Sequence, residues 1–195
     1  MSKSMRLINS IAILFVLFCL SFAIIEEERA SALGWDYIEE YKELAVAEMY
    51  RTGIPASIIL AQGLHESNYG KSRLATEANN HFGIKCKSYW VGKTFFHKDD
   101  DYDSKGRLTD SCFRSYNSAL ESYVDHSNFL KHTSHYQSLF NYDKTDYVSW
   151  AKGLKKCGYA TDKKYAEKLI KKVELYFLNQ YDHWENPFKK IQQQD

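Results

Sequence analysis

The chain has almost no excess charge: of its 195 residues 26 are basic and 25 acidic, a formal balance of +1 at pH 7. Setting aside residues 1–32 leaves that balance unchanged, so no bulk field points to a nucleic-acid partner. Metal-ligand spacing is missing as well, since neither C-x-x-C nor H-E-x-x-H occurs. Beyond residue 25 no apolar run is long enough to span a bilayer, and there is no repeat or low-complexity tract. The segment after Tyr181 is too short for a second folded module. These absences leave one body of single-domain size.

What is present begins at the N-terminus. Lys3 and Arg6 precede an apolar run from Ile11 through Leu20 to Ile25, the n-region and h-region of an export signal. Ala30-Ser31-Ala32 supplies an A-x-A cleavage pattern, with Ala23 as a second candidate. The run approaches the ~18 apolar residues that cross a bilayer. Residues 1–32 therefore read as a signal peptide or an N-terminal membrane anchor, with residues 7–25 as the tether in the second case. Val16-Leu17-Phe18 lacks the small residues expected before a lipidated Cys19. Either way the protein is expected to be exported, to the periplasm, the cell envelope or the extracellular space.

In such a compartment disulfides persist, and Cys86, Cys112 and Cys157 remain once Cys19 is set aside. Cys86 and Cys112 flank a segment that reads as a hairpin, so a bond between them would tie its base. Cys157, on a helical face, is expected as a buried free thiol.

Apolar residues recur at helical spacing from Tyr37 to Met49, where Gly53 breaks the pattern. Pro55 suits the first turn of a second helix, which runs through Ile58, Ile59, Ala61, Gln62 and Leu64 toward Gly70 and places Glu66 in its last turn. A short helical piece follows at 72–78. The period then changes: 94–97 and 108–113 are extended, separated by a polar turn with Asp103-Ser104-Lys105-Gly106. Ser118 and Glu121 form a capping box for the next helix. Another helix spans about 146–157 and ends at Gly158, and the last carries a stripe of Tyr165, Ala166, Leu169, Ile170, Val173, Tyr176 and Phe177, expected as core. The pattern is one α+β domain over 33–183, mostly helical with a small β-hairpin lobe, followed by a short polar tail at 184–195.

Hydrolysis of a glycosidic bond needs one carboxyl that is still protonated near neutral pH and a second group that activates water or stabilises positive charge. Glu66 meets the first requirement. It faces the negative end of a helix dipole, and Tyr69 and Leu64 are near enough in sequence to desolvate it, both of which raise a carboxyl pKa. Candidates for the second group are Asp99, Asp100 and Asp101. Asp99, Asp101, Asp103 and Asp110 also fall at calcium-loop spacing, but Ser104 stands where that loop needs Gly, and no metal or other cofactor is expected. The aromatic share, 15% of residues, suits a carbohydrate groove and an ordinary core equally.

Ile54-Pro55-Ala56 to Gln62, followed by His65-Glu66-Ser67-Asn68-Tyr69-Gly70-Lys71-Ser72, resembles the catalytic helix of bacterial peptidoglycan glucosaminidases of glycoside hydrolase family 73. Asn79 to Lys85, Cys112 to Tyr116, Tyr123 to Ser127 and Gly158 to Asp162 match later blocks of that family in the same order. The resemblance covers about Asp36 to Tyr181. It implies a lysozyme-like fold and cleavage of β-1,4 bonds at N-acetylglucosamine, with Glu66 as general acid. It further implies a second acid on the hairpin, where Asp101-Tyr102 stands in place of the usual Glu-Tyr, and an active-site tyrosine at Tyr159. Asn80, Phe82, Tyr69 and Tyr102 are the expected substrate-binding residues, with shaping of the 79–83 loop as the other reading of Asn80 and Phe82, and His65 is expected to be structural. The implied partner is the peptidoglycan strand, met by a monomer. The rival readings are a lytic transglycosylase or muramidase on the same frame, and a non-catalytic wall-binding protein.

Overall fold

The computed structural model describes residues 31–102 and 105–187, with the backbone alone at 99–102. The chain divides into a unit of residues 1–36 and a unit of residues 37–195, and the second of these holds the core and the hairpin. Nearly all of the expected export segment, and residues 188–195 of the tail, lie outside the described residues. Among those described, no helix is long and apolar enough to cross a membrane.

Among the described residues, six helices and one hairpin make up the fold. Helix α1 covers 31–52, of which 37–52 belong to this unit. It is followed by α2 (Ala56–Glu66), α3 (Arg73–Ala78), the hairpin of β1 (Thr94–Tyr102) and β2 (Leu108–Arg114), α4 (Ala119–His132), α5 (Tyr147–Lys156) and α6 (Tyr165–Leu175). Two 3-10 segments, Ser134–Asn141 and Leu178–His183, carry no periodic signal in the sequence.

Helix α2 is the centre. Every residue from Ala56 to Leu64 is buried, so this helix is apolar all round and is surrounded by others, chiefly α5, α6 and the second 3-10 segment. Gly63 lets α1 come close, because a Cβ there would lie 2.5 Å from the Tyr37 hydroxyl. That hydroxyl belongs to a buried chain. Tyr123 of α4 donates to it at 2.9 Å, and it in turn contacts His81 Nδ1 at 3.1 Å. Burial holds the His81 pKa down to about 4, so the ring stays neutral at ordinary pH and its Nδ1 accepts the Tyr37 proton.

Pro55 sits at the N-cap of α2 and offers no side-chain acceptor. The acceptor comes from 125 residues downstream: Asp182 of the second 3-10 segment takes the Ser57 N–H at 2.8 Å and the Ser57 hydroxyl at 2.7 Å. Burial pushes the Asp182 carboxyl up to about 6, and the two Ser57 bonds work against that rise.

Strand β1 is longer than the sequence pattern indicates. Its pairing with β2 is regular from Thr94↔Arg114 to Lys98↔Asp110 and resumes at Tyr102↔Leu108 after an irregularity. Asp99, Asp100 and Asp101 thus belong to the strand and not to the turn. Cys86 and Cys112 form a disulfide at the base of the hairpin. Beside it Arg114, buried at the end of β2, binds both carboxylate oxygens of Asp125 on α4 at 2.9 and 2.7 Å and lies 4.5 Å from the Trp90 ring.

Three smaller expectations are corrected. Phe177 is 66% exposed, because the chain turns there through a left-handed φ of 51° and carries the side chain off the α6 stripe. Cys157 is free but only half-buried, since it caps α5 where the helix meets the surface. The Ser118 hydroxyl caps α4 as expected, whereas the Glu121 carboxylate takes the N–H of Asn117 and not that of Ser118.

The long-range cap makes a testable demand. Replacing Asp182 with Ala leaves the Ser57 N–H and hydroxyl without their acceptor, and should cost about 2 kcal/mol in urea denaturation. Asp182→Asn keeps an acceptor and should lose less. Equal stability of Asp182→Ala and the native chain would show that the cap is idle.

Candidate active site

Helix α2 ends at Glu66 because the next residues turn the chain left-handed: Asn68, Tyr69 and Gly70 have φ of 49°, 57° and 75°. Left-handed backbone is unusual for a tyrosine and costs on the order of 1 kcal/mol. Ser67 holds the turn, donating its hydroxyl to Gly63 O and accepting the Gly70 N–H at 2.7 Å.

The Glu66 carboxyl is pushed up to about 7, by burial in the first place. Tyr165 of α6 donates to Oε1 at 2.8 Å, which pulls modestly the other way. The Tyr165 oxygen itself accepts from Gln62 Nε2 at 3.0 Å, one turn back from Glu66 on α2. Gln62 therefore occupies the acceptor side of Tyr165 and commits its single proton to Glu66. When Glu66 is neutral, Oε1 is the accepting oxygen and the acidic proton resides on Oε2. The result is a carboxyl oriented by Tyr165 that is about half protonated at pH 7.

Glu66 opens onto a groove of about 510 Å³. One wall is the stretch from Phe82 to Lys85 with Lys87 and Tyr89, and the other is formed by Phe129, Thr133, His135 and Tyr136, with Gly158 to Ala160 completing the lining. The Tyr159 ring stacks on Tyr165 at 5.6 Å between centroids. Its hydroxyl is buried without a hydrogen-bond partner among the described residues. Phe82 stacks at 3.9 Å on His126, whose two ring nitrogens likewise lack partners and whose pKa burial pushes down to about 3. Buried polar atoms left open like this cost roughly 1–3 kcal/mol each and cluster where function requires them.

Of the residues singled out in the sequence, Glu66, Phe82 and Tyr159 meet in this groove. Asn80 does not enter it. Fully buried, it donates to Ile84 O and Arg114 O at 3.0 and 2.8 Å and accepts the Ile84 N–H at 3.1 Å, so it shapes the 80–84 loop. Tyr69 faces α6, where its hydroxyl accepts from Lys172 at 3.1 Å. His65 packs toward Tyr165, with ring centroids 5.7 Å apart. The side chains of Asp101 and Tyr102 lie outside the described residues; their backbone belongs to β1. Sequence reasoning missed Gln62 as a site residue, although its i−4 relation to Glu66 was available, and Tyr165, for which only its core stripe was visible. Among the described residues no group of His, Cys, Asp or Glu could hold a metal ion.

A mainly helical, lysozyme-like domain whose central helix ends on a carboxyl protonated near neutral pH has the frame of a glycoside hydrolase. Residues 42–178 match the glucosaminidase family, described as mannosyl-glycoprotein endo-beta-N-acetylglucosaminidase, and the chain belongs to that family. Exo-glucosaminidase LytG of Bacillus subtilis is 34% identical over 138 residues, 69% of this chain and 49% of the relative. The catalytic domain of the autolysin Auto from Listeria monocytogenes superposes with a TM-score of 0.68 at 27% identity, covering 76% of this chain and 87% of that one. The glycoside hydrolase domain of FlgJ from Salmonella typhimurium gives 0.60 at 26% identity, covering 74% and 88%. The chain spans about half the length of the curated relatives it matches.

The Tyr165 contact sets a pH dependence. A general acid works while protonated, so activity should fall as pH rises through the Glu66 pKa of about 7. Tyr165→Phe removes a bond that favours the carboxylate. It should therefore move the alkaline limb of the kcat profile upward while lowering kcat itself. A limb that stays in place or moves down would contradict the assigned direction of this bond.

Proposed function

We propose that this protein hydrolyses β-1,4 glycosidic bonds at N-acetylglucosamine in bacterial peptidoglycan, with Glu66 as general acid. The observation that carries the reading is the Glu66 carboxyl, whose pKa burial lifts to about 7 and which Tyr165 aims beside an open groove. Support for the substrate comes from the family description and from relatives named peptidoglycan hydrolase and autolysin. The family description gives an endo-acting enzyme and the Bacillus relative is named an exo-enzyme. We take the endo mode, which releases mid-length fragments from the start of digestion.

Glu66 gives its Oε2 proton to the bridging oxygen as the bond to the anomeric carbon breaks. Positive charge then develops on the sugar ring. Asp101 of β1 stabilises that charge or takes the proton of the attacking water, unless the acetamido group of the substrate fills this role. Asp99 and Asp100 are the alternatives within the cluster. The open hydroxyl of Tyr159 gains its missing partner from the sugar. Water adds at the anomeric carbon, one of its protons leaves to the base, and Glu66 is reprotonated for the next cycle. Tyr102 and Phe82 contact the sugar chain. Residues 1–32 direct export or tether the protein, 33–183 do the chemistry as a monomer, and 184–195 form a tail, so the enzyme acts at the cell envelope or outside it.

Glu66→Gln should abolish release of muropeptides while leaving the circular dichroism spectrum unchanged, because it removes the acid at nearly constant shape. In the native digest, mass spectrometry should find N-acetylglucosamine at the reducing ends. Reducing N-acetylmuramic acid would indicate a muramidase, an anhydro sugar a lytic transglycosylase, and saturable binding without product a wall-binding protein.

Asp101→Asn should reduce the rate at least ~10²-fold. If Asp99→Asn or Asp100→Asn does more damage, the working carboxylate is the neighbour.

A further inference from the structure

Among the described residues, the phenyl and phenol rings that line the groove are those of Phe82, Tyr89, Phe129, Tyr136 and Tyr159. Four of them belong to the interior. Phe82 and Tyr136 are buried, and Phe129 and Tyr159 are half-buried against the core, so each can offer a ligand little more than an edge. Tyr89 differs: it is 67% exposed. It is the ring in this groove with a face left to contact something large and flat.

A side chain left in water normally moves among rotamers, and the cost of stopping it falls on whatever binds. Tyr89 is instead tied at its far end. Its hydroxyl accepts from Arg114 Nη2 at 3.3 Å, and the guanidinium carbon lies 5.6 Å from its ring centre. Arg114 has little freedom of its own, being 4% exposed and bound to both carboxylate oxygens of Asp125, which also accepts the Tyr116 hydroxyl at 2.7 Å. Trp90, the next residue, cannot share the role of Tyr89. Its indole N–H donates to Lys93 O at 3.0 Å, Arg114 covers it, and a Cβ at Gly92 would fall 2.4 Å from its ring. Trp90 is thus packed as a support, and Arg114 holds Tyr89 from one side while the rest of the ring stays open.

A pyranose ring in a β-1,4 chain of N-acetylated sugars carries its polar substituents around its rim. Its axial C–H bonds make both faces apolar. The face of an aromatic ring is negative and attracts such C–H groups, and the stacked pair also removes apolar area from water. Resting on the proposed function, we infer that Tyr89 is a stacking subsite for one pyranose ring of the glycan strand, with Arg114 as the positioning residue that holds it. The subsite reads the shape of the sugar and not its charge.

The test measures dissociation constants by calorimetry on the full Glu66→Gln chain, using a neutral N-acetylglucosamine hexamer and peptide-free glycan strands as probes. Adding Tyr89→Ala should weaken both about tenfold, the size of a lost aromatic contact. Tyr89→Trp should stay within about twofold of the parent, because it keeps an aromatic face. Tyr89→Phe keeps the ring but gives up the tie to Arg114, and should fall between the two. The losses should persist in high salt, which screens charge and leaves stacking intact. Phe177→Ala serves as the control, since Phe177 is 66% exposed and lies outside the groove lining, and it should bind as the parent does. Equal affinity of Tyr89→Ala and the parent overturns the subsite. If Tyr89→Phe is as weak as Tyr89→Ala, the hydroxyl and not the ring carries the contact, and stacking is overturned. If Tyr89→Phe equals the parent, Arg114 has no positioning role. Failure of the parent itself to bind either probe would instead overturn the glycan reading of the groove, so the two failures are separately visible.

Discussion

The structure is organised around the burial of one carboxyl at the end of its central helix. A carboxylate in that position would cost several kcal/mol to desolvate, and the pKa near 7 is the form in which the cost appears. Among the described residues, burial raises the Glu66 pKa and only the Tyr165 hydrogen bond opposes it. Among the described residues its side-chain bond comes from a neutral tyrosine, which orients the group without restoring its acidity. An arginine in place of Tyr165 would make a stronger contact and a useless acid, because it would keep Glu66 ionised.

Holding the carboxyl there requires the helix beneath it to be immobile, and the surrounding elements supply that rigidity from both ends. Asp182 closes the N-terminus of α2, while Ser67 and the left-handed run at 68–70 close its C-terminus. Along its side, the Tyr123–Tyr37–His81 chain fixes α1, α4 and the 79–83 loop around Gly63. Each of these bonds lies within the interior, where an unpaired partner is costly. Loss of one member is therefore felt by a network and not by one pair.

Much of this was legible in the sequence, because the signals are local. Gly53 and Gly158 end helices in left-handed conformation, Ser118 caps α4, and the apolar spacing of α1, α2 and α5 reports their buried faces. What was not legible depends on partners far apart in the chain. The cap supplied by Asp182 spans 125 residues and the Tyr165–Glu66 bond spans 99, and neither leaves a trace in a short window. Asn80 and Tyr69 show the limit of local motifs. Both sit in motif blocks of the family, but Asn80 hydrogen-bonds backbone and Tyr69 pairs with α6, so membership in a motif did not distinguish groove from scaffold. Phe177 was misread because helical periodicity was extended two residues past the point where α6 stops.

The Cys86–Cys112 disulfide has a consequence for where the groove wall can exist. It closes a loop across 26 residues of sequence separation, a constraint worth on the order of 3 kcal/mol in the unfolded-state entropy account. In a reducing cytoplasm the two thiols stay apart, and the segment from Ile84 to Trp90 lacks its covalent tie to β2. The wall reaches its full rigidity once the disulfide has formed, and that bond persists in an oxidising space.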